Sequence, residues 1–223
     1  MTDSAYLAAI CLAWGLYGLF HSWLAGSQTK HLLIQRWPAL KASYRLLYNL
    51  QAAILTLPPL ALTWLYPGKP LWHWPAWIAW AAFLVALAGF LWSMRWYDGM
   101  DFLGLRQLHR HDAPDDYRET LILSPLHRCV RHPWYSLGLL YLWTRDLNAG
   151  WLAAAITITV YLAIGSQLEE RKLVEVFGDA YRRYRARVPG LIPRPWRCLS
   201  QHEIDALSRI DQAEPPHSPA PCT

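Results

Sequence analysis

Long apolar stretches constrain this chain more than any other feature of its sequence. Three of them run from about Ala5 to Ala25, Leu46 to Tyr66 and Leu71 to Met94, and a fourth runs from Pro133 to Leu168 with an interruption at TRDLNAG. A helix needs about 20 apolar residues to cross a bilayer. Counting the interrupted stretch as two helices predicts an all-α integral membrane protein with five transmembrane helices, of which the fourth, Pro133–Trp143, is short.

The composition agrees with this prediction. Of the 223 residues, 54% are hydrophobic and only 17% are charged, and 14 are tryptophan. An ordinary soluble domain needs more polar surface than this. The N-terminus has neither a basic segment before its apolar stretch nor a small-residue cleavage site after it, so we expect the first stretch to remain as a span rather than to be removed as a signal peptide.

The positive residues are clustered, and their clustering predicts an orientation. All but two of the 21 Lys and Arg residues follow the first, third or last apolar stretch, and the two exceptions are Lys69 and Arg145. Basic loops are retained on the cytoplasmic side of a membrane. The pattern therefore predicts an N-terminus outside and a C-terminus in the cytoplasm, and it accounts for the net charge of +5 without a nucleic-acid partner.

The segment after the last span is predicted to be an amphipathic helix on the cytoplasmic face. In EERKLVEVFGDAYRRYRARVPGLIPR the apolar and aromatic residues recur at spacings of three and four, with a kink expected at Gly178 and an end at Pro189. We expect residues 1–197 to form a single helical membrane domain and residues 198–223 to form a flexible cytoplasmic tail, because its end is rich in proline. The four cysteines show no CxxC pair, which indicates free thiols rather than a zinc site or a disulfide framework.

Ionisable residues flank the last two predicted spans at what should be the same membrane level. Arg131, His132 and Tyr135 lie at one end of this hairpin, and Glu169 and Glu170 lie at the other. The arginine could reach lipid phosphate, and the histidine could belong only to a helix start before Pro133. Adjacent carboxylates on a helix point in different directions, so one should face inward. That carboxylate could bind a ribose diol or an amine, or form an ion pair with Arg131.

Two motifs in order resemble a known family. RHPWYSLGLL followed by EERKLVEVFGDAYRRYRARVPGLIPR is similar to the C-terminal half of the isoprenylcysteine carboxyl methyltransferase superfamily. The earlier segments FHSWLAGSQTK, YRLLYN and DFLGLRQ resemble its bacterial branch, which contains methanethiol S-methyltransferases and NnrU-type proteins linked with denitrification. The resemblance covers about Phe20 to Pro193. It implies an integral membrane enzyme of the bacterial inner membrane that uses S-adenosylmethionine, with the cofactor-binding half at about 95–197.

The resemblance also implies cofactor-binding residues. By position in the family's motifs these are Gln107, Thr120, Leu121, Ile122, His132, Pro133, Trp134, Tyr135 and Glu169. The chain departs from the family at two places. Pro125 and His127 stand where many members have a GxY turn, and Gly165 stands where the carboxyl methyltransferases have an arginine that holds the substrate carboxylate. The missing cation favours a small or neutral acceptor such as a thiol.

Methyl transfer from a sulfonium needs mainly alignment and desolvation of the reactants. A thiol must also lose a proton, and His127 or His132 is a candidate base. We predict no metal site. The expected partners are a small or lipophilic acceptor and membrane lipid.

Two other functions remain open from the sequence. One is a non-catalytic accessory membrane protein of denitrification, which the departures at Pro125 and His127 would suit. The other is a membrane reductase of the sterol-reductase type that uses a nicotinamide dinucleotide. The phosphates of that cofactor, which S-adenosylmethionine lacks, would need basic residues in the third loop. Arg106, Arg110 and Arg118 keep this second alternative open.

Overall fold

The described part of the chain consists of helices and a small pair of strands. The computed structural model describes residues 2–66, 68–109 and 123–213. Within these residues the helices are α1 (Asp3–Ala25), α2 (Ser27–Arg36), α3 (Leu40–Leu65), α4 (Ala76–Ser93), α5 (Gly99–Leu103), α6 (Leu105–His109), α7 (Pro133–Trp143), α8 (Ala149–Arg187) and α9 (Gln201–Ala213). The strands are β1 (Pro70–Trp72) and β2 (Leu147–Asn148), and 3-10 turns cover Met94–Trp96, Pro125–Arg128 and Pro195–Arg197.

Four of the described helices are long and apolar enough to cross a membrane. They are α1, α3, α4 with the turn that follows it, and α8. The chain is therefore an integral membrane protein, and its described residues are all-α apart from the strand pair. Helix α7 has the bounds predicted for the short span, but its 11 residues extend only about 16 Å, roughly half the thickness of the hydrocarbon core. The fifth span stays a prediction.

The structure divides into two compact units; the single helical membrane domain expected for residues 1–197 stays a prediction. Unit 1 consists of Met1–Phe83, Tyr97–Pro114 and Tyr141–Tyr161, and unit 2 of Leu84–Trp96, Asp115–Leu140 and Leu162–Thr223. Three of the five boundaries fall within helices, namely α4, α7 and α8. Each unit thus combines segments that are distant in the sequence, which explains why composition along the chain did not indicate the division.

In unit 1, polar side chains join α1 to α3. The indole Nε1 of Trp14 donates to Thr63 Oγ1 at 3.1 Å, and the Tyr44 hydroxyl donates to the carbonyl of Leu24 at 2.7 Å. The Tyr48 hydroxyl lies 2.7 Å from Nε2 of His21. Apolar helices that face lipid gain little from hydrophobic contact with one another, so hydrogen bonds of this kind contribute to their association.

The strand pair joins two loops of unit 1 at one end of the spans. β1 pairs antiparallel with β2. Next to this pair, Trp74 Nε1 donates to the carbonyl of Trp143 at 2.9 Å, and the Trp74 backbone N–H donates to Asp146 at 3.3 Å. The end of α3, the start of α4, the end of α7 and the start of α8 therefore lie at the same end of the unit.

Unit 2 has its core around the second half of α8. Buried side chains form one apolar cluster there: Phe177, Tyr181, Tyr184, Val188, Leu199 and Leu207. The last two belong to the region expected to be a flexible tail, so this expectation is wrong for the first part of that region, which folds back onto α8 and continues as α9. The physical reason is that Leu199 and Leu207 lose their contact with water by packing on the aromatic residues of α8. Residues 214–223 lie outside the described part of the chain.

Helix α8 contains the predicted kink. Its 39 residues are helical except at Gly178, where φ is 52° and ψ is −128°. This conformation is accessible to glycine and costs other residues free energy. After the kink the helix is amphipathic, with Tyr181 and Tyr184 buried and Arg182 and Arg185 exposed. It ends at Arg187, two residues before Pro189, as predicted; its cytoplasmic location stays a prediction.

Candidate active site

The RHP segment of unit 2 is a turn that leads into α7. Pro133 is the first residue of α7, a position where its missing N–H costs no hydrogen bond. Before it, the backbone N–H of Arg131 donates to the carbonyl of Pro189 at 2.8 Å, and that of His132 donates to the carbonyl of Gly190 at 3.1 Å. These bonds hold the turn against the chain that follows α8, so the two motifs of the sequence meet here.

Arg131 forms a nearly buried ion pair with Glu170. Its Nε and Nη2 lie 2.8 and 2.7 Å from Oε1 of Glu170, and the two side chains are 14% and 5% exposed. Nη1 of the arginine donates to the carbonyls of Arg185 and Val188, which belong to the end of α8 and the residue after it. The guanidinium therefore joins three parts of unit 2: the turn, the middle of α8 and the chain beyond α8.

His132 lies between the two adjacent carboxylates of α8. Its Nε2 is 3.0 Å from Oε1 of Glu170, and its Nδ1 is 3.5 Å from Oε2 of Glu169. The imidazole is buried and stacks on the ring of Tyr135, with centroids 5.2 Å apart and planes 7° apart. The Tyr135 hydroxyl donates to Oε2 of Glu169 at 3.1 Å. Both ring nitrogens of His132 are thus oriented by carboxylates.

The structure decides which carboxylate faces inward. Glu170 does, and it forms the ion pair with Arg131 that was one of the two alternatives. Glu169 has 48% of its side chain exposed, beside the stacked rings of His132 and Tyr135. Of the two, Glu169 is the one that a soluble molecule can reach, and it is also the one that the family resemblance implies as a cofactor ligand.

Trp134 points away from this cluster, toward α4. Its Nε1 donates to the hydroxyl of Ser93 at 2.7 Å, and its ring lies 5.3 Å from that of Phe90. Pro133 is buried at the helix start. Of the four consecutive residues implied as cofactor ligands, the structure groups His132 and Tyr135 with Glu169, because residues three apart on a helix share a face.

His127 is bonded into the 3-10 turn of unit 2. Its Nδ1 lies 2.7 Å from the Ser124 hydroxyl, and its carbonyl accepts from the Tyr184 hydroxyl at 2.7 Å. Burial, with a smaller contribution from the nearby His132, lowers the pKa of His127 to about 4. These contacts are typical of a structural histidine; its role as a base stays a prediction.

The remaining predicted ligands do not belong to the described part of unit 2. Gln107 lies on α6 in unit 1, where its Nε2 approaches the carbonyl of Asp101 at 3.4 Å and its Oε1 is buried without a hydrogen-bond partner. Thr120, Leu121 and Ile122 lie outside the described residues. The predicted roles of all four stay predictions.

The sequence did not indicate a disulfide in unit 2. Cys129 and Cys198 are joined across 69 positions, so the expectation of free thiols is wrong for this pair. They are adjacent because the Leu199 N–H donates to the carbonyl of Arg128, and Arg128 Nε donates to that of Leu199, both at 2.9 Å. Cys11 is free, as expected. Cys222 lies outside the described residues.

Ser136 is a further contact that the sequence did not single out. Its hydroxyl donates to the carbonyl of Leu191 at 2.6 Å. The backbone N–H groups of Arg131 and His132 donate to the carbonyls of residues 189 and 190. Together with the Ser136 bond, all three carbonyls of residues 189–191 accept hydrogen bonds from the turn and the first part of α7. A serine one turn into an apolar helix was the only signal in the sequence, and it is a common one.

Curated relatives of the chain share one name. Methanethiol S-methyltransferase 2 of Bradyrhizobium diazoefficiens is 32% identical over 192 residues, which is 82% of this chain and 71% of that protein. Methanethiol S-methyltransferase of Pseudomonas sp. (strain GM41(2012)) is 30% identical over 199 residues, which is 80% of this chain and 70% of that protein.

Shorter alignments have higher identity. Methanethiol S-methyltransferase of Pseudomonas deceptionensis is 37% identical over 119 residues, and there the chain spans 43% of the relative's length. No family model matches the chain, and no solved structure matches it. None of these relatives bears the name of a denitrification protein or a reductase, so neither alternative gains support. On the two long alignments, the chain belongs to the family of the methanethiol S-methyltransferases, the branch that its motifs resemble.

Proposed function

We propose that this protein transfers a methyl group from S-adenosylmethionine to a small thiol such as methanethiol. The family membership supports the reaction class, because the relatives are named for this reaction. The assignment of the site to particular residues depends on Glu169. Its carboxylate is accessible, accepts a hydrogen bond from Tyr135 and lies next to His132.

The chemistry of these side chains suits the proposed cofactor. S-adenosylmethionine presents a ribose diol and an ammonium group, both hydrogen-bond donors, and a carboxylate accepts from either by charge-assisted bonds. It also carries a sulfonium cation, which the faces of aromatic rings attract. Glu169 supplies the acceptor, and the His132 and Tyr135 rings supply a flat aromatic surface next to it.

When bound, the cofactor supplies an activated methyl group, so the protein has to align and desolvate the reactants. Alignment of two reactants can lower a barrier by roughly 7–11 kcal/mol. The ion pair of Arg131 with Glu170 maintains the geometry of the turn that carries His132. His132 Nδ1 faces Glu169, so a proton taken from the thiol at Nδ1 would be shared with that carboxylate.

The proposed acceptor class rests on position 165, where this chain has a glycine instead of a positively charged residue. Gly165 lies on α8, one turn before Glu169, and a Cβ at this glycine would meet no atom within 4 Å other than its chain neighbours and the backbone of its own helix. An arginine here could hold a substrate carboxylate, and this chain has none at that position. A small neutral thiol needs no such partner, whereas a prenylcysteine carboxylate does.

We also propose five membrane crossings, with the N-terminus outside and the C-terminus in the cytoplasm of a bacterial inner membrane. The strand pair supports this count, because it joins the loop between α3 and α4 to the loop between α7 and α8. Those two loops contain Lys69 and Arg145, the two basic residues outside the cytoplasmic clusters, which supports the orientation.

The proposed function is tested with purified protein in lipid nanodiscs. Methyl-labelled S-adenosylmethionine is supplied with methanethiol, a prenylcysteine or phosphatidylethanolamine, and labelled product is measured for each. We expect labelled dimethyl sulfide from methanethiol and background levels from the other two acceptors. Product from prenylcysteine or phospholipid alone would contradict the acceptor class.

The site assignment is tested by cofactor affinity in the same nanodiscs. The substitution Glu169→Ala should weaken binding of S-adenosylmethionine by at least about tenfold, because it removes one charge-assisted hydrogen bond. The matched control is Glu175→Ala, because Glu175 is an exposed carboxylate on the same helix. Equal affinity of the two variants in isothermal titration would exclude Glu169 as a ligand.

A further inference from the structure

The segment 192–197 is a short loop in unit 2 whose two ends are held against the RHP turn. At its start, the carbonyls of Gly190 and Leu191 accept from the His132 N–H and the Ser136 hydroxyl. At its end, Cys198 is bonded to Cys129 and Leu199 is buried. A loop this short, fixed at both ends, presents a defined surface.

That surface is apolar and basic at once. Ile192 is 74% exposed and Trp196 is 80% exposed, although both are large hydrophobic side chains. Arg194 and Arg197, between and beside them, are exposed as well. The sequence has no acidic residue from 188 to 202, so no neighbour along the chain neutralises the two arginines. We call this set of four residues the loop surface.

The position of the loop surface indicates which environment covers it. Ser136 lies in the first turn of α7, and its bond to Leu191 fixes the start of the loop beside that turn. α7 is an apolar helix with exposed Leu140 and Tyr141 further along it. The loop is therefore adjacent to the start of an apolar helix, which is where the proposed span would meet the membrane interface. Tryptophan and arginine are the residues that favour this depth, where an indole contacts acyl chains and a guanidinium contacts phosphate.

We propose that the loop surface is a binding site for anionic phospholipid at the membrane interface. Ile192 and Trp196 enter the headgroup region, and Arg194 and Arg197 bind lipid phosphate. Through the bonds at residues 189–191 and 198–199, the lipid then holds the chain that covers the Arg131 and Glu170 pair. This inference does not depend on the proposed reaction, because its test measures lipid contact.

The experiment uses the full chain in vesicles of phosphatidylcholine alone or with one third phosphatidylglycerol. In a background with Cys11→Ser and Cys222→Ser, Trp196→Cys is labelled with an environment-sensitive nitrobenzoxadiazole maleimide. Spin-labelled lipids then report contact by quenching. The control is the same label at His202→Cys, an exposed position in α9 just beyond the loop. A second label at Ile192→Cys covers the case that Trp196→Cys does not fold.

We expect a blue-shifted, strongly quenched label at 196 or 192 and a weakly quenched one at 202. Adding phosphatidylglycerol should increase the quenched fraction, and Arg194→Gln with Arg197→Gln should remove that increase, because each arginine favours an anionic surface roughly fivefold. Quenching equal to that of the control overturns the proposal, as does shielding of the label by a second copy of the chain. Quenching that does not change when phosphatidylglycerol is added overturns the proposed preference for anionic lipid.

Discussion

Glu169 and Glu170 are adjacent in the sequence but have different environments. Glu170 is buried against Arg131 and His132, whereas Glu169 accepts from Tyr135 and is half exposed. Neighbouring helical positions point about 100° apart, so a single pair of carboxylates can provide one structural and one accessible group. Their loss should therefore affect different properties of the protein.

Replacing Glu170→Ala should destabilise the fold, because it leaves a nearly buried guanidinium without its carboxylate. Removing one partner of a buried ion pair costs about 3–5 kcal/mol, roughly 6–20 °C in Tm for a chain of this size. Glu169→Ala should lower Tm by less than about 4 °C, as expected for an exposed contact. Thermal unfolding of both variants in one detergent measures this, and a larger loss for Glu169→Ala would contradict the assignment.

His127 should make the protein less stable in mild acid. Its pKa is about 4 in the folded protein against 6.5 for the ordinary side chain. Below pH 6.5 the unfolded chain therefore binds a proton that the folded chain does not. The stability from neutral His127 is complete above pH 6.5 and decreases as the pH falls toward 4, by about 2 kcal/mol at pH 5.

The measurement compares denaturation of the wild type and of His127→Asn at pH 7.5 and pH 5. Asparagine can keep the bond to the Ser124 hydroxyl but does not titrate. We expect the variant to lose less stability between the two pH values than the wild type does. Parallel losses would show that other groups cause the acid sensitivity.

Most features of α8 could be predicted from its sequence pattern. The apolar run, the glycine and the spacing of aromatic residues predicted a span, a kink and an amphipathic helix, and the structure has all three in one element of 39 residues. The pattern could not predict what covers the aromatic face. Leu199 and Leu207 do so, and they come from beyond the helix.

The kink at Gly178 should be required for this packing. In Gly178→Ala the positive φ is strained, at a cost of roughly 1–3 kcal/mol. The matched control is Gly165→Ala in the same helix, where the new methyl group meets no atom within 4 Å beyond its chain neighbours and its own helix backbone. We expect a lower Tm and faster proteolysis of α9 for Gly178→Ala only; equal behaviour of the two variants would refute the role of the kink.

The number of membrane crossings of the complete fold depends on α7. Four of the described helices have the length of spans, and α7 with its 11 residues does not. Helices shorter than the hydrocarbon core are tolerated where protein surrounds their ends or the bilayer thins. The pairing of β1 with β2 nevertheless requires the chain to return, between α4 and α8, to the end where α4 began.

The number of crossings is measured by labelling single cysteines from one side of the membrane. In the background with Cys11→Ser and Cys222→Ser, we expect a membrane-impermeant maleimide to label His73→Cys and Asp146→Cys in spheroplasts. Met100→Cys and Gln201→Cys should react only after the membrane is permeabilised, because basic clusters retain their loops in the cytoplasm. Labelling of positions 100 and 146 from the same side would contradict a crossing by α7.

The order of residues was enough to predict the membrane character, the helix bounds of α7 and of the second half of α8, and the family. These properties depend on the order of residues along the chain: lipid selects long apolar runs, and the motifs are local. Three findings required the three-dimensional structure: Glu170 is the inward carboxylate, Cys129 pairs with Cys198, and residues 198–213 fold onto α8. Each of these depends on contacts between residues far apart in the chain. A local sequence pattern does not predict the free energy of such contacts.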